Sequence, residues 1–69
     1  MNDIEVRVNG DRRRVATGTT VAELVAMLTT AAKGVAVAVD ESVVPRGAWA
    51  RTVLDADSRV EVLTAVQGG

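Results

Sequence analysis

The sequence predicts an α+β domain: a mixed sheet of four to five strands packed on one helix, with a flexible tail at the C-terminal end. Three observations predict it. Valine dominates the apolar residues, and β-branched side chains favour strands. Short strand-like runs stand on both sides of a single segment with helical periodicity. The chain then closes on Gly68-Gly69, just past the last such run.

The first run, Ile4-Glu5-Val6-Arg7-Val8, alternates apolar and charged residues, the period of a half-buried strand. Asn9-Gly10 follows, a two-residue hairpin signal because both positions tolerate positive φ. The returning strand runs from Arg12 to Ala16 with Val15 as its one large apolar residue, a pattern suited to an outer strand. After the loop Thr17-Gly18-Thr19, the stretch Thr20-Val21-Ala22-Glu23 reads as a capping box. Val21, Leu24, Val25 and Leu28 follow at helical spacing and give one apolar face to lay on a sheet. Thr29-Thr30 weakens the helix, and Lys33-Gly34 is expected near its stop.

Val35 to Val39 is apolar throughout, which marks an interior strand. Asp40-Glu41-Ser42 is a turn, and Val43-Val44 is a short edge strand ended by Pro45. From Arg46 to Asp57 no period is sustained, and a short helical turn with a loop is expected. Arg59 to Thr64 is the last strand, with Val60 and Val62 on one side.

Two hairpins around one helix cannot each bury a face alone. Both must use the same helix, with the first and last strands side by side, and this arrangement is the β-grasp fold. The expected inward set is Ile4, Val6, Val8, Val15, Leu24, Leu28, Val37, Val39, Val60 and Val62, with Trp49 closing one end. Residues 1–65 form the domain and residues 66–69 the tail.

Composition narrows the chemistry. At 69 residues the chain is one domain with a thin core. A net charge of −1 supplies no field toward nucleic acid or anionic membrane. With no Cys and no His, there is no thiolate nucleophile and neither the commonest general base nor the commonest metal ligand. No apolar run approaches a membrane span and no signal peptide is visible, so a cytoplasmic protein is expected. Ser42, Ser58 and Lys33 are scattered over turns with no catalytic spacing. Asp55 and Asp57 could ligate a hard cation, but Asp-Ala-Asp-Ser before a strand reads better as a solvated turn. Gly18 and Gly34 are isolated, so no glycine loop cradles a phosphate. Arg12-Arg13-Arg14 alternates faces along a strand and reads as a charge-protected edge, with docking to an acidic partner the lesser reading. Trp49 reads as a core plug in preference to an exposed anchor.

The tail remains. Four residues from Val66 onward reach about 14 Å when extended, enough to enter a partner's active site while the domain stays outside. Glycine lets a narrow channel close around the backbone. A carboxylate resists nucleophiles, whereas its acyl adenylate has AMP as a leaving group that a sulfur nucleophile can displace.

These pieces resemble the ThiS sulfur carriers of the ubiquitin-like MoaD/ThiS superfamily. The resemblance rests on Val8-Asn9-Gly10, Thr20 to Leu24, Val35 to Val39, Val43-Val44-Pro45-Arg46, Ala48-Trp49-Ala50, Asp57 to Val62, and Thr64 to Gly69. It departs at Asp40-Glu41-Ser42, where such carriers often have Asn-Gly-Glu, and at Gln67, where many have Ala. The resemblance implies a protein co-substrate, not an enzyme. A ThiF-like adenylating enzyme would consume ATP to activate Gly69, and a sulfur donor such as a cysteine desulfurase would supply the atom. Thiazole synthase would take the sulfur from the resulting thiocarboxylate. Val66, Gln67, Gly68 and Gly69 would enter the partner's active site. The free carrier would be a monomer with no bound cofactor, no metal, no nucleic acid and no membrane. Rival readings are a carrier for molybdopterin, cysteine or tRNA thiolation, a ubiquitin-like modifier joined to lysine through Gly69, and an interaction domain with an idle tail.

Overall fold

The computed structural model describes residues 2–30 and 33–64. The chain forms β1 (Asp3–Val8), β2 (Asp11–Ala16), α1 (Val21–Leu28), β3 (Val35–Val39), β4 (Ser42–Val43), a 3₁₀ helix (Arg46–Arg51) and β5 (Arg59–Thr64). The five strands make one mixed sheet in the order β2-β1-β5-β3-β4. The first and last strands run parallel at its centre, with Arg7 beside Arg59 and Val8 beside Val60, and every other pairing is antiparallel. This is the β-grasp arrangement read from the two hairpins, with all five strands present.

The helix starts as its sequence demands. The Thr20 hydroxyl accepts from the Glu23 N–H at 3.2 Å, and the Glu23 carboxylate accepts from the Thr20 N–H at 2.9 Å. Together they satisfy two donors that a helix start leaves without partners. Eight residues are too few to hold a helix in water on their own. Val21, Leu24 and Val25, all buried, hold it against the sheet. The helix ends earlier than Lys33-Gly34 suggested. Thr29 is already extended (φ −154°, ψ 151°), so the β-branched pair Thr29-Thr30 stops it. Gly34, with φ +74°, lies at the entry to β3 instead.

Val6, Val8, Val15, Leu24, Val37, Val60, Val62 and Trp49 form the core as expected, and Ile4, Leu28 and Val39 pack on it half-buried. Val21, Val25 and Leu54 are core residues beyond the expected set. Leu54 sits in the stretch without periodicity. That stretch is tied to the start of the helix through Val21 N–H to Thr52 O and Leu54 N–H to Thr19 O, both 2.9 Å. Trp49 plugs one end of the core. Its indole N–H donates to the Val44 carbonyl at 2.9 Å, and the Arg46 guanidinium lies 5.2 Å from its ring centroid. The fourth strand is one residue earlier than expected, at Ser42–Val43, although Val44 N–H still reaches Val37 O at 2.9 Å.

The β3–β4 turn places two non-glycine residues in the left-handed region, Asp40 at φ +49° and Glu41 at φ +71°. This is the geometry of a two-residue hairpin whose favoured second residue is glycine. Glu41 bears the steric cost of a Cβ there. Its ion pair with Arg59 spans 3.6 Å between exposed groups and offsets little of that cost. Glu41→Gly is therefore expected to stabilise the domain by about 0.5 kcal/mol after glycine's entropy is counted. In a domain of this size that is a rise of about 2–4 °C in Tm, read by thermal denaturation followed by circular dichroism.

Candidate functional site

β5 is the strand that delivers the chain to Val66, Gln67, Gly68 and Gly69. Those four residues, and the 65/66 boundary between domain and tail, lie outside the described residues. What is described is the platform from which they leave. β5 lies between β1 and β3, with Val60 and Val62 turned into the core, so its backbone is held on both sides. The β3 side is a continuous antiparallel ladder running from Val39↔Val60 to Val35↔Thr64.

The β1 side is shorter, because β1 turns away at Asn9-Gly10. Its last main-chain bond to β5 is Asn9 N–H to Val60 O at 2.9 Å. Beyond that point the Asn9 side chain takes over. Its Oδ1 accepts from Val62 N–H at 2.8 Å, and its Nδ2 donates to Val62 O at 3.1 Å. A side-chain amide thus occupies the place of the next peptide group. Asn9 can do this because it sits at φ +52°, a region that asparagine tolerates better than most residues. Asp40 makes a similar closure at the other end of β5: its N–H donates to Arg59 O at 2.8 Å and its Oδ1 accepts from Arg59 N–H at 2.9 Å.

The face of the sheet turned away from the helix divides into two parts. On the β1–β2 side it carries charge, with Glu5 and Arg12 3.9 Å apart and Arg7 and Arg14 exposed nearby. On the β5–β3–β4 side it is mostly apolar, with the exposed Glu61 set among the apolar residues opposite Ala38. Leu63 faces Ala36 across the ladder, and Val43 faces Ala38. Leu63 is 68% exposed and Val43 is 77% exposed. A shallow depression lies among Ala36, Ala38, Val43, Glu61 and Leu63. This patch is built on the strand that ends one residue before position 65.

The alternative sites do not assemble. Ser58 is buried and its hydroxyl accepts from the Asp55 N–H at 3.1 Å, closing the turn through Asp55 and Asp57. Ser42 lies in β4 and Lys33 precedes β3, so the three candidates for side-chain chemistry are dispersed. Among the described residues no three His, Cys, Asp or Glu side chains are placed to hold a metal ion. Among them also, no helix is long and apolar enough to cross a membrane. Arg12, Arg13 and Arg14 lie on β2 at the sheet edge, all exposed, with Arg13 opposite Val6 and the other two on the alternate face.

Two features of the platform went unread in the sequence. Asn9 was legible as a turn residue, but nothing marks a partner 53 positions away. Leu63 did leave a signal: with Val60 and Val62 inward, the alternation puts an apolar residue on the outer face at 63.

Comparison with known proteins adds two findings. The family model described as "ThiS family" matches residues 6–69. The crystal structure of a thiamine biosynthesis protein (ThiS) from Geobacter metallireducens superposes with a TM-score of 0.80 at 30% sequence identity. That match covers 96% of this chain and 100% of the other. Among curated proteins none matches the chain.

Proposed function

The chain belongs to the ThiS family, and from that premise we propose that it is a sulfur carrier of thiamine biosynthesis whose reactive group is the Gly69 carboxylate. The observation that carries this reading is a family match that continues through the tail to Gly69. The domain is a protein co-substrate acting in the cytoplasm. Residues 1–65 supply the domain, and Val66, Gln67, Gly68 and Gly69 are the part that enters a partner's active site.

The chemistry proceeds in two displacements. In a ThiF-like adenylating enzyme, a carboxylate oxygen of Gly69 attacks the α-phosphorus of ATP and pyrophosphate leaves. The resulting acyl adenylate has a carbonyl carbon that a sulfide-level nucleophile attacks with expulsion of AMP; where the sulfur arrives as the persulfide of a donor such as a cysteine desulfurase, a thiol reductant cleaves the S–S bond and brings it to that level. The product is a thiocarboxylate at Gly69, and thiazole synthase receives its sulfur. The steps need no side chain of this protein as acid, base or nucleophile. That requirement suits a sequence without His or Cys and a platform whose Ser58 and Asp55 close a turn.

The apolar patch around Leu63 belongs to the same reading. A partner that takes the tail must also meet the surface from which it emerges. Leu63 lies directly before Thr64, the last residue of β5. We assign the Ala36, Ala38, Val43 and Leu63 patch as the surface that rests on the adenylating partner.

Intact-mass spectrometry tests the reading. Incubation with ATP, the adenylating enzyme and a sulfur source should exchange one oxygen for sulfur, located at Gly69 by fragmentation. Conjugates to lysine on other proteins, or sulfur elsewhere in the chain, would refute it.

A further inference from the structure

We infer that Asn9 is a positioning residue for delivery of the tail. Its side-chain amide clamps Val62 and so holds the last part of β5, the strand that leads to the tail. The inference rests on the carrier reading above and adds a residue remote in sequence to the apparatus that presents Gly69.

The argument starts from where the sheet stops. On its β1 side, β5 has main-chain support up to Val60. From Val62 onward that side would hold an unpaired N–H and carbonyl. An unpaired strand end frays, and the ordering that fraying undoes must then be restored whenever a partner binds. The Asn9 amide prevents this with one acceptor and one donor at 2.8 and 3.1 Å. It reaches the strand only because the turn bends there with Asn9 at φ +52° and Gly10 at φ +88°. The clamped residue lies immediately before Leu63, so the same two bonds hold the exposed apolar patch and the root of the tail in one fixed relation.

The placement also explains why a hairpin at the start of the chain matters for chemistry at its end. Asp40 makes a comparable pair of bonds to Arg59, at the end of β5 far from the tail. β5 is thus closed at both ends by side-chain oxygens from two different hairpin turns, and the closure at Val62 is the one beside the tail.

The test uses the full-length protein. Asn9→Gly retains the positive φ and removes the amide. Asn9→Asp retains both the φ preference and the acceptor for Val62 N–H while losing the donor. Val15→Ala serves as a control, since it removes core volume on β2 at the end of the sheet away from Asn9. ATP–pyrophosphate exchange with the adenylating enzyme is measured at a temperature where circular dichroism shows each variant folded. The expected result for Asn9→Gly is a rise in the KM for the carrier of about tenfold, with kcat within about twofold, because ordering is restored on binding and not in the chemical step. Asn9→Asp should give a smaller rise, and Val15→Ala none. Amide hydrogen exchange should accelerate at Val62 in Asn9→Gly while the buried Leu54, whose N–H donates to Thr19 O, stays protected. An unchanged KM in folded Asn9→Gly, an equal rise in Val15→Ala, or wild-type protection at Val62 would overturn the inference and leave the carrier reading intact. Absence of exchange by the wild-type protein itself would remove the carrier reading, and this inference with it.

Discussion

Deletion of Gly68 and Gly69 is expected to abolish ATP–pyrophosphate exchange with the adenylating enzyme while leaving the Tm within about 1 °C of the full-length protein. The two halves of this expectation come from different parts of the molecule. All five strands, the helix and the 3₁₀ segment are complete by Thr64, and the core runs from Val6 to Val62. Stability is set there, and terminal residues beyond the last strand contribute little to it. Activation, as proposed, acts on a carboxylate at the far end of the tail. Shortening the tail by two residues withdraws that group by about 7 Å, far more than the few tenths of an ångström that a near-attack geometry tolerates. Calorimetry and radiolabelled pyrophosphate exchange on the same preparation read both quantities. Retained exchange by the truncated protein would refute the assignment of Gly69.

Leu63→Asp is expected to raise the KM for the carrier in the same reaction by about thirtyfold, which corresponds to about 2 kcal/mol, the size of an interface hot spot. Leu63 is 68% exposed, so the substitution disturbs little of the core. The remaining cost is the poorer fit of aspartate to a strand, at most about 1 kcal/mol, and the domain stays folded. On the partner the change is larger, because a carboxylate would be desolvated where an aliphatic surface was covered. Arg12→Ala on the charged half of the same face should change KM by less than about threefold, as expected outside the apolar contact. An equal effect of both substitutions would show that the contact is not centred on Leu63.

Much of the fold was legible because this chain keeps its local signals consistent with its global arrangement. The alternation in β1, the capping box at Thr20 and Glu23, and the uninterrupted apolar run of β3 each correspond to the element they suggest. The errors are physical in origin. Lys33-Gly34 resembles a stop and suggests a longer helix, whereas the β-branched Thr29-Thr30 pair ends the helix first. Leu54 escaped because a three-residue tether to the helix start is too short to show a period. The clamp of Asn9 on Val62 is a tertiary contact between groups that are unremarkable in their own neighbourhoods. The chemistry proposed for the tail draws on residue types and family likeness alone, since a terminal carboxylate leaves no pattern of side chains to find.

The central position of β5 has a consequence for how the molecule comes into being. The strand that joins the two halves of the sheet is the last to be synthesised. Until that strand is made, the two hairpins lack the partner that unites them. The rate of folding is therefore governed by bringing β1 and β5, far apart in the chain, together. A chain broken off before Arg59 has no central strand to insert and stays open to proteolysis. Cells would thus hold few compact molecules that lack the strand from which the tail departs.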